Sequence, residues 1–309
     1  MDTIMLKARG KINLTLDVVG KRDNGYHDLR MIMQTINLHD TITITKTKTE
    51  GIRINNNLAW LPKDDKNITY KAAAKFLQES NIKSGIYIDI FKRIPVAAGL
   101  AGGSSDAAAV LVGLNKLFDT RYSKRKLMKM GVEIGADVPF CILRGTALAE
   151  GIGEVLTPLP SLPSMHILLA KPNISVSTAS VYKALNLSEI EKHPETDHYV
   201  EAIKRQDISY MTTHMGNVLE DVTIKIHPQI EDIKRDMMHM GALGSMMSGS
   251  GPTVFGIFPS KYEATLAAEY FKNKCGLREV HVTSTFCKAK REGRRRNERK
   301  RYKHKPENK

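Results

Sequence analysis

The sequence predicts an α+β protein of two domains, and three observations carry that expectation. At 309 residues the chain exceeds what one hydrophobic core usually supports. Pro158, Pro160 and Pro163 cluster near its middle, where no regular element can continue. On both sides of that cluster, strand-like alternation is interleaved with apolar helical patterns.

Residues 4–19 alternate, with Ile12, Leu14, Leu16 and Val18 on one side and Lys11, Asn13, Thr15 and Asp17 on the other. Asp23-Asn24-Gly25 signals a tight turn. Residues 41–45 and 86–91 are predicted strands. Residues 67–78 are a predicted helix with Ile68, Ala72 and Phe76 on one face. An alanine-rich helix over residues 106–118 follows a glycine-rich loop, and a second helix follows Ser123, a predicted N-cap. Beyond the prolines, residues 165–170 form a predicted strand. Helices are predicted at 177–185, 208–221 and 228–240. The end predicts strand (253–258), helix (261–272) and strand (280–286), consistent with an antiparallel sheet. The predicted division is residues 1–160, residues 161–287, and a basic, disordered tail at 288–309.

Composition narrows the function classes. A content of 41% hydrophobic and 26% charged residues is ordinary for a globular protein. Apolar runs such as residues 107–114 fall far short of the roughly 20 residues a membrane span requires. The beginning, MDTIMLKARGK, lacks the apolar stretch of a secretory signal. Three cysteines are too few and scattered for a disulfide framework or a metal cluster, so a reduced, cytoplasmic setting is expected. Of the net charge of +14, residues 288–309 carry +9, from twelve Lys or Arg against three Glu. The remaining +5 makes the body only mildly basic, so a nucleic-acid reading rests on the tail alone.

Residues 95–106 (PVAAGLAGGSSD) lie between a strand and a helix. Here Pro95 opens the loop, Gly99, Ala101, Gly102 and Gly103 let the backbone approach an anion, and Ser104 and Ser105 add hydroxyls. No Lys-Ser/Thr follows the last glycine, so this is not a Walker A loop, and G-x-G-x-x-G is not matched. A plain turn that lets a helix pack closely is the alternative. The loop's length, its serine pair and its strand–loop–helix context favour phosphate binding.

Lys11 and Asn13 share one strand face beside Arg9, and Asp137 stands in Gly135-Ala-Asp-Val-Pro139 directly after a helix. Alone, these read equally as a solvated charged edge and a turn aspartate. A kinase acting on an alcohol needs a carboxylate to accept the hydroxyl proton and a cation beside it, a pair that Lys11 and Asp137 can supply if the fold unites them. Ser248-Gly249-Ser250-Gly251 is a second Gly/Ser loop, read either as a hairpin connection or as a ligand loop.

Together, residues 95–109 and residues 247–254 (MSGSGPTV) resemble the ATP motif and the C-terminal motif of the GHMP kinases. Residues 10–14 (GKINL), 24–27 (NGYH) and 135–140 (GADVPF) resemble, in the same order, the members that phosphorylate a cytidine-diphosphate-linked methylerythritol in non-mevalonate isoprenoid biosynthesis. The resemblance covers residues 6–286. It implies an N-terminal ATP-binding domain of ribosomal-protein-like fold and a ferredoxin-like C-terminal domain. It implies Asp137 as general base, Lys11 as its electrostatic helper, and ATP with Mg²⁺ as the phosphoryl source, the metal's ligands being unassigned. Asn13 would contact the diphosphate or the erythritol end of the substrate, Thr178 would lie near the reacting hydroxyl, and Gly249 and Ser250 would also bind the substrate. Tyr26 and Tyr182 would sandwich the cytosine and His27 would bond its edge. Asn67 and Lys92 would neighbour the adenine, and residues 99–105 would hold the phosphates.

Two features depart from the family pattern. Arg9-Gly10 replaces a Pro-Ala before the lysine, which loosens the strand locally, and the basic tail has no counterpart. Two alternatives stay open: a GHMP kinase for another small alcohol, and a nucleic-acid-binding protein acting through residues 294–301. No membrane partner is expected, and a monomer or weak homodimer is.

Overall fold

The computed structural model describes residues 2–287, so the basic tail lies outside the described residues. The chain opens with a long antiparallel hairpin, β1 (Thr3–Lys21) and β2 (His27–Thr47), followed by β3 (Gly51–Asn56), α1 (Ile68–Ser80) and β4 (Gly85–Phe91). Next come α2 (Gly102–Leu117), α3 (Lys124–Val132), α4 (Val138–Leu143), β5 (Thr146–Gly151) and β6 (Val155–Pro158). The second half comprises β7 (His166–Lys171), α5 (Thr178–Ala184), α6 (Thr196–Arg205), α7 (Ile208–Thr213), β8 (Gly216–Asn217), α8 (Glu220–Ile226), α9 (Gln229–His239), β9 (Gly244–Met247), β10 (Val254–Phe258), α10 (Lys261–Asn273) and β11 (Glu279–Ser284).

The first sheet runs β3-β4-β2-β1-β8, with β5 on the other half of β2's outer edge and β6 beyond it. β2 is long enough to serve β4 with residues 41–47 and β5 with residues 29–34. The second sheet runs β11-β7-β10-β9, every pair antiparallel. Numbered in chain order this is 4-1-3-2, the ferredoxin-like arrangement that the resemblance implied.

Helices α1 and α2 bury Ala72, Phe76, Val110 and Leu111 against Ile42, Ile88 and Ile90 of the first sheet. The other face of that sheet packs on the second half of the chain, where Ile12, Leu14 and Ile36 meet Leu169, Phe255 and Ile257. Sandwiched this way, β1 is buried on both faces. Lys11, Asn13, Thr15 and Asp17 are at most 6% exposed, so the solvated edge open in the sequence is not what forms.

The helix predicted over 208–221 is two, α7 and α8, parted by β8. Gly216 passes so close to Pro194 that a side chain there would crowd the ring at 3.1 Å. Asn217 then pairs with Leu16 and sends its Nδ2 to the carbonyls of Met247 and Gly249. The predicted N-cap at Ser123 forms, its hydroxyl accepting from the Lys126 amide. Among the described residues no helix is long and apolar enough to cross a membrane.

Candidate active site

Three segments far apart in sequence meet where β1, the loop before α2 and the loop between β9 and β10 converge. The Lys11 amide leaves the β1–β2 ladder, whose register shifts between Arg9 and Lys11, and donates to Leu100 O at 3.0 Å. The loosening expected at Gly10 therefore takes the form of a re-aimed strand held by a new bond. Gly99 (φ +72°) lies so close to the opposite loop that a Cβ would fall 2.1 Å from Ser248 O, and Ser248 Oγ donates to Gly99 O at 3.0 Å. A Cβ on Gly249 would sit 3.3 Å from Lys11 Nζ and 3.6 Å from Asn13 Oδ1. Glycine is required at both positions by positive φ and close approach together.

The cavity beside this junction holds about 1170 Å³. The N-terminus of α2 opens into it. Its N-cap, Ala101, is left-handed and offers no side-chain bond, so the first amides of the helix are left for an anion. Pro95, Gly99, Gly102, Gly103 and Ser104 line the cavity with it. Ser105 does not. Its amide bonds Ala101 O, and its hydroxyl donates to Arg9 O and lies 3.3 Å from Cys141 Sγ, so the expected phosphate donor is instead a tie behind the loop.

Asp137 is the N-cap residue of α4, yet its carboxylate caps no amide and faces the cavity. Lys11 Nζ donates to Asn13 Oδ1 at 2.7 Å, while Asn13 Nδ2 points at Met31 Sδ, which fixes the amide's orientation. Lys11 and Asp137 form no ion pair, but both fields reach the Cys141 thiol, which burial, then Asp137, push up to about 12. That thiol is inert.

Thr178 Oγ1 lies 2.8 Å from Ser250 Oγ, one turn before Tyr182 on α5. Burial and the nearby Asp137 charge push the Tyr182 hydroxyl pKa up. The Tyr182 ring stacks on the His27 imidazole, centroids 5.3 Å apart, rather than standing opposite Tyr26, which is 57% exposed at the rim. Burial and the nearby Lys21 charge draw the His27 pKa down, so the ring is neutral and can both donate and accept.

Asn67 and Lys92 line the cavity, but their polar atoms are already committed. Asn67 caps α1 through Thr69 and donates to Pro62 O. The Lys92 ammonium is buried between Asp40 and Asp106. Both therefore stand at the wall of the cavity, as neighbours of the expected nucleotide would, with these side-chain atoms bonded to the protein. Asp40, Asp106 and Met31 were missed. A charged residue in an otherwise apolar helix was the one available signal, at Asp106, whereas nothing local marks Asp40 or Met31.

The family model for the GHMP kinases N terminal domain matches residues 67–145, and that for the GHMP kinases C terminal matches residues 199–277. The chain belongs to the GHMP kinase family. It is 52% identical over 286 residues, 93% of this chain and 99% of its relative, to the 4-diphosphocytidyl-2-C-methyl-D-erythritol kinase of Lachnospira eligens. Over 272 residues, 88% of this chain and 94% of the relative, it is 58% identical to the enzyme of that name from Lachnoclostridium phytofermentans. Among solved structures, a 4-(cytidine 5'-diphospho)-2C-methyl-D-erythritol kinase superposes with a TM-score of 0.79 at 30% identity, covering 91% of this chain and 99% of that one. The homoserine kinase of Cytophaga hutchinsonii, at 20% identity and TM-score 0.73 over 93% of this chain and 95% of that one, shares the fold.

Proposed function

We propose that this protein transfers the γ-phosphoryl group of ATP to the 2-hydroxyl of 4-diphosphocytidyl-2-C-methyl-D-erythritol. The observation that carries the reading is one cavity holding a free helix N-terminus, an uncapped carboxylate and a buried lysine together with a neutral imidazole stacked on tyrosine. The first set is what phosphoryl transfer to an alcohol needs, and the second is what reading a pyrimidine needs.

In the proposed step the Asp137 carboxylate takes the proton of the 2-hydroxyl as that oxygen bonds to the γ-phosphorus. The bond from phosphorus to the bridging oxygen breaks and ADP leaves. Lys11, oriented by Asn13, supplies positive charge where the alkoxide develops, and the first amides of α2 take phosphate oxygens. Thr178 and Ser250 hold the erythritol end; His27 and Tyr182 hold the base, with Tyr26 closing over it from the rim. Among the described residues no three His, Cys, Asp or Glu converge on a point. Mg²⁺ commonly rides on nucleotide phosphates with one or two protein oxygens, so the Ser104 hydroxyl, which lines the cavity, fits it, and the ion would neutralise phosphate charge there. The proposed division is residues 1–160 for the nucleotide and base, and 161–287 for the closing ferredoxin-like unit.

The test is ADP release from ATP and Mg²⁺ with the cytidylated erythritol, homoserine or mevalonate as acceptor. Turnover with the cytidylated acceptor alone is expected. Equal or better turnover with either other alcohol overturns the assignment.

A further inference from the structure

Behind the α2 N-terminus lies a buried group of three charges that the transfer chemistry does not use. Lys92 Nζ donates to Asp106 Oδ2 at 2.7 Å and to Asp40 Oδ2. Asp40 Oδ1 accepts from the amides of Arg93 and Ile94, at 2.5 and 2.8 Å. The three side chains are 5% exposed or less. Asp106 Oδ1 is buried and has no hydrogen-bond partner. The ammonium lies directly under the loop, for a Cβ on Gly102 would sit 3.4 Å from Nζ. So Lys92, just beyond β4, is bonded both to β2 and to the first turn of α2.

We propose that Asp106 is a positioning residue for nucleotide binding, which with Asp40 pins the Lys92 ammonium beneath Gly102 and so sets the α2 N-terminus where the triphosphate is received. The inference rests on the reading of residues 95–106 as the triphosphate loop. Two carboxylates against one ammonium would leave a net negative charge buried behind an anion site, costly in itself and repulsive to phosphate. Lys92 and Asp40 are the charged groups that bear most on Asp106. Burial, with Asp40's charge added, pushes the Asp106 pKa well above the usual carboxylate range, against the opposing pull of Lys92. Burial disfavours the ammonium too, but the charges of Asp106 and Asp40 outweigh it and raise the Lys92 pKa. Lys92 is thus held at once by a carboxyl group on β2 and another on α2, which fixes the one element against the other.

The test titrates a non-hydrolysable ATP analogue into the full chain, into Asp106→Ala and into Asp106→Asn, alongside KM for ATP and for the alcohol. Asp106→Ala leaves a buried ammonium short of one partner, so analogue affinity should fall about tenfold and KM for ATP rise alike. KM for the alcohol should stay within about twofold, well under the tenfold that one lost interaction brings. Asp106→Asn, neutral and able to accept from Lys92, should restore affinity. Unchanged affinity in Asp106→Ala, an equal rise in both KM values, or Asp106→Asn as weak as the alanine variant would each overturn the proposal. Should the alanine variant not fold, the asparagine variant decides alone: parent-like analogue affinity with KM for the alcohol unchanged supports the proposal, and any other result overturns it. A parent chain that does not bind the analogue refutes the loop reading itself, and this inference with it.

Discussion

At the scale of single residues, the chemistry depends on where polar atoms are already spent. Asp137 is half-buried with no cap to serve, whereas Asn67 and Lys92, equally close to the cavity, have their polar atoms bonded elsewhere. That distinction is invisible in a linear sequence, because the partners of Lys92, Asp40 and Asp106, lie 52 and 14 positions away. Lys11, Asn13, His27 and Asp137 stand in the short stretches that carry the family resemblance, whereas Thr178 lies in none of them and rested on the resemblance alone. Ser105 was misread because adjacent serines on a helix point about 100° apart, and only Ser104 faces the cavity. His27 gives a prediction with a sign. Its lowered pKa keeps the imidazole neutral at pH 7, and protonation removes its acceptor. KM for the cytidylated substrate should therefore rise as pH falls below about 6.5, with kcat less affected. An acid limb that is absent from KM, or that persists in a His27→Gln variant, would contradict that role.

At the scale of elements, the two glycine loops form one structure. Each was legible as a turn, but their interlock was not, since Gly99 and Ser248 are 149 positions apart. The helices and strands with clean periodicity (α1, α3, α10, β10) formed where the pattern placed them. The periodicity of β1 was read correctly, yet its burial on both faces depended on layers contributed by distant parts of the chain. α7 and α8 were merged because a two-residue strand is too short to interrupt a helical pattern detectably. Gly99→Ala tests the interlock. A methyl group at φ +72° that also meets Ser248 O at 2.1 Å should cost at least about 2 kcal/mol in urea unfolding, and nucleotide affinity should fall with it. A variant as stable as the parent would mean that the loops separate freely.

At the scale of the whole molecule, the first sheet is a long hairpin that carries Lys11 and Asn13 on β1 and His27 at the start of β2. One helical layer on it presents the α2 N-terminus and Asp137, and the ferredoxin-like unit brings Thr178, Tyr182 and Ser250 against the same cavity. The two halves share continuous apolar cores, so the cavity is a product of the complete fold. The measurement that tests the central claim most directly is where the phosphate resides on the product. Carbon-13 NMR of the product formed from cytidylated methylerythritol should show splitting by the new phosphorus at the quaternary C2 and the carbons attached to it. The new phosphate, bonded through oxygen to a carbon without hydrogen, should show no three-bond proton coupling. The Asp137→Asn variant should form that product at least about a hundredfold more slowly, the smaller end of what a general base contributes. Phosphate at any other hydroxyl, or an Asp137→Asn variant as fast as the parent, would contradict the account.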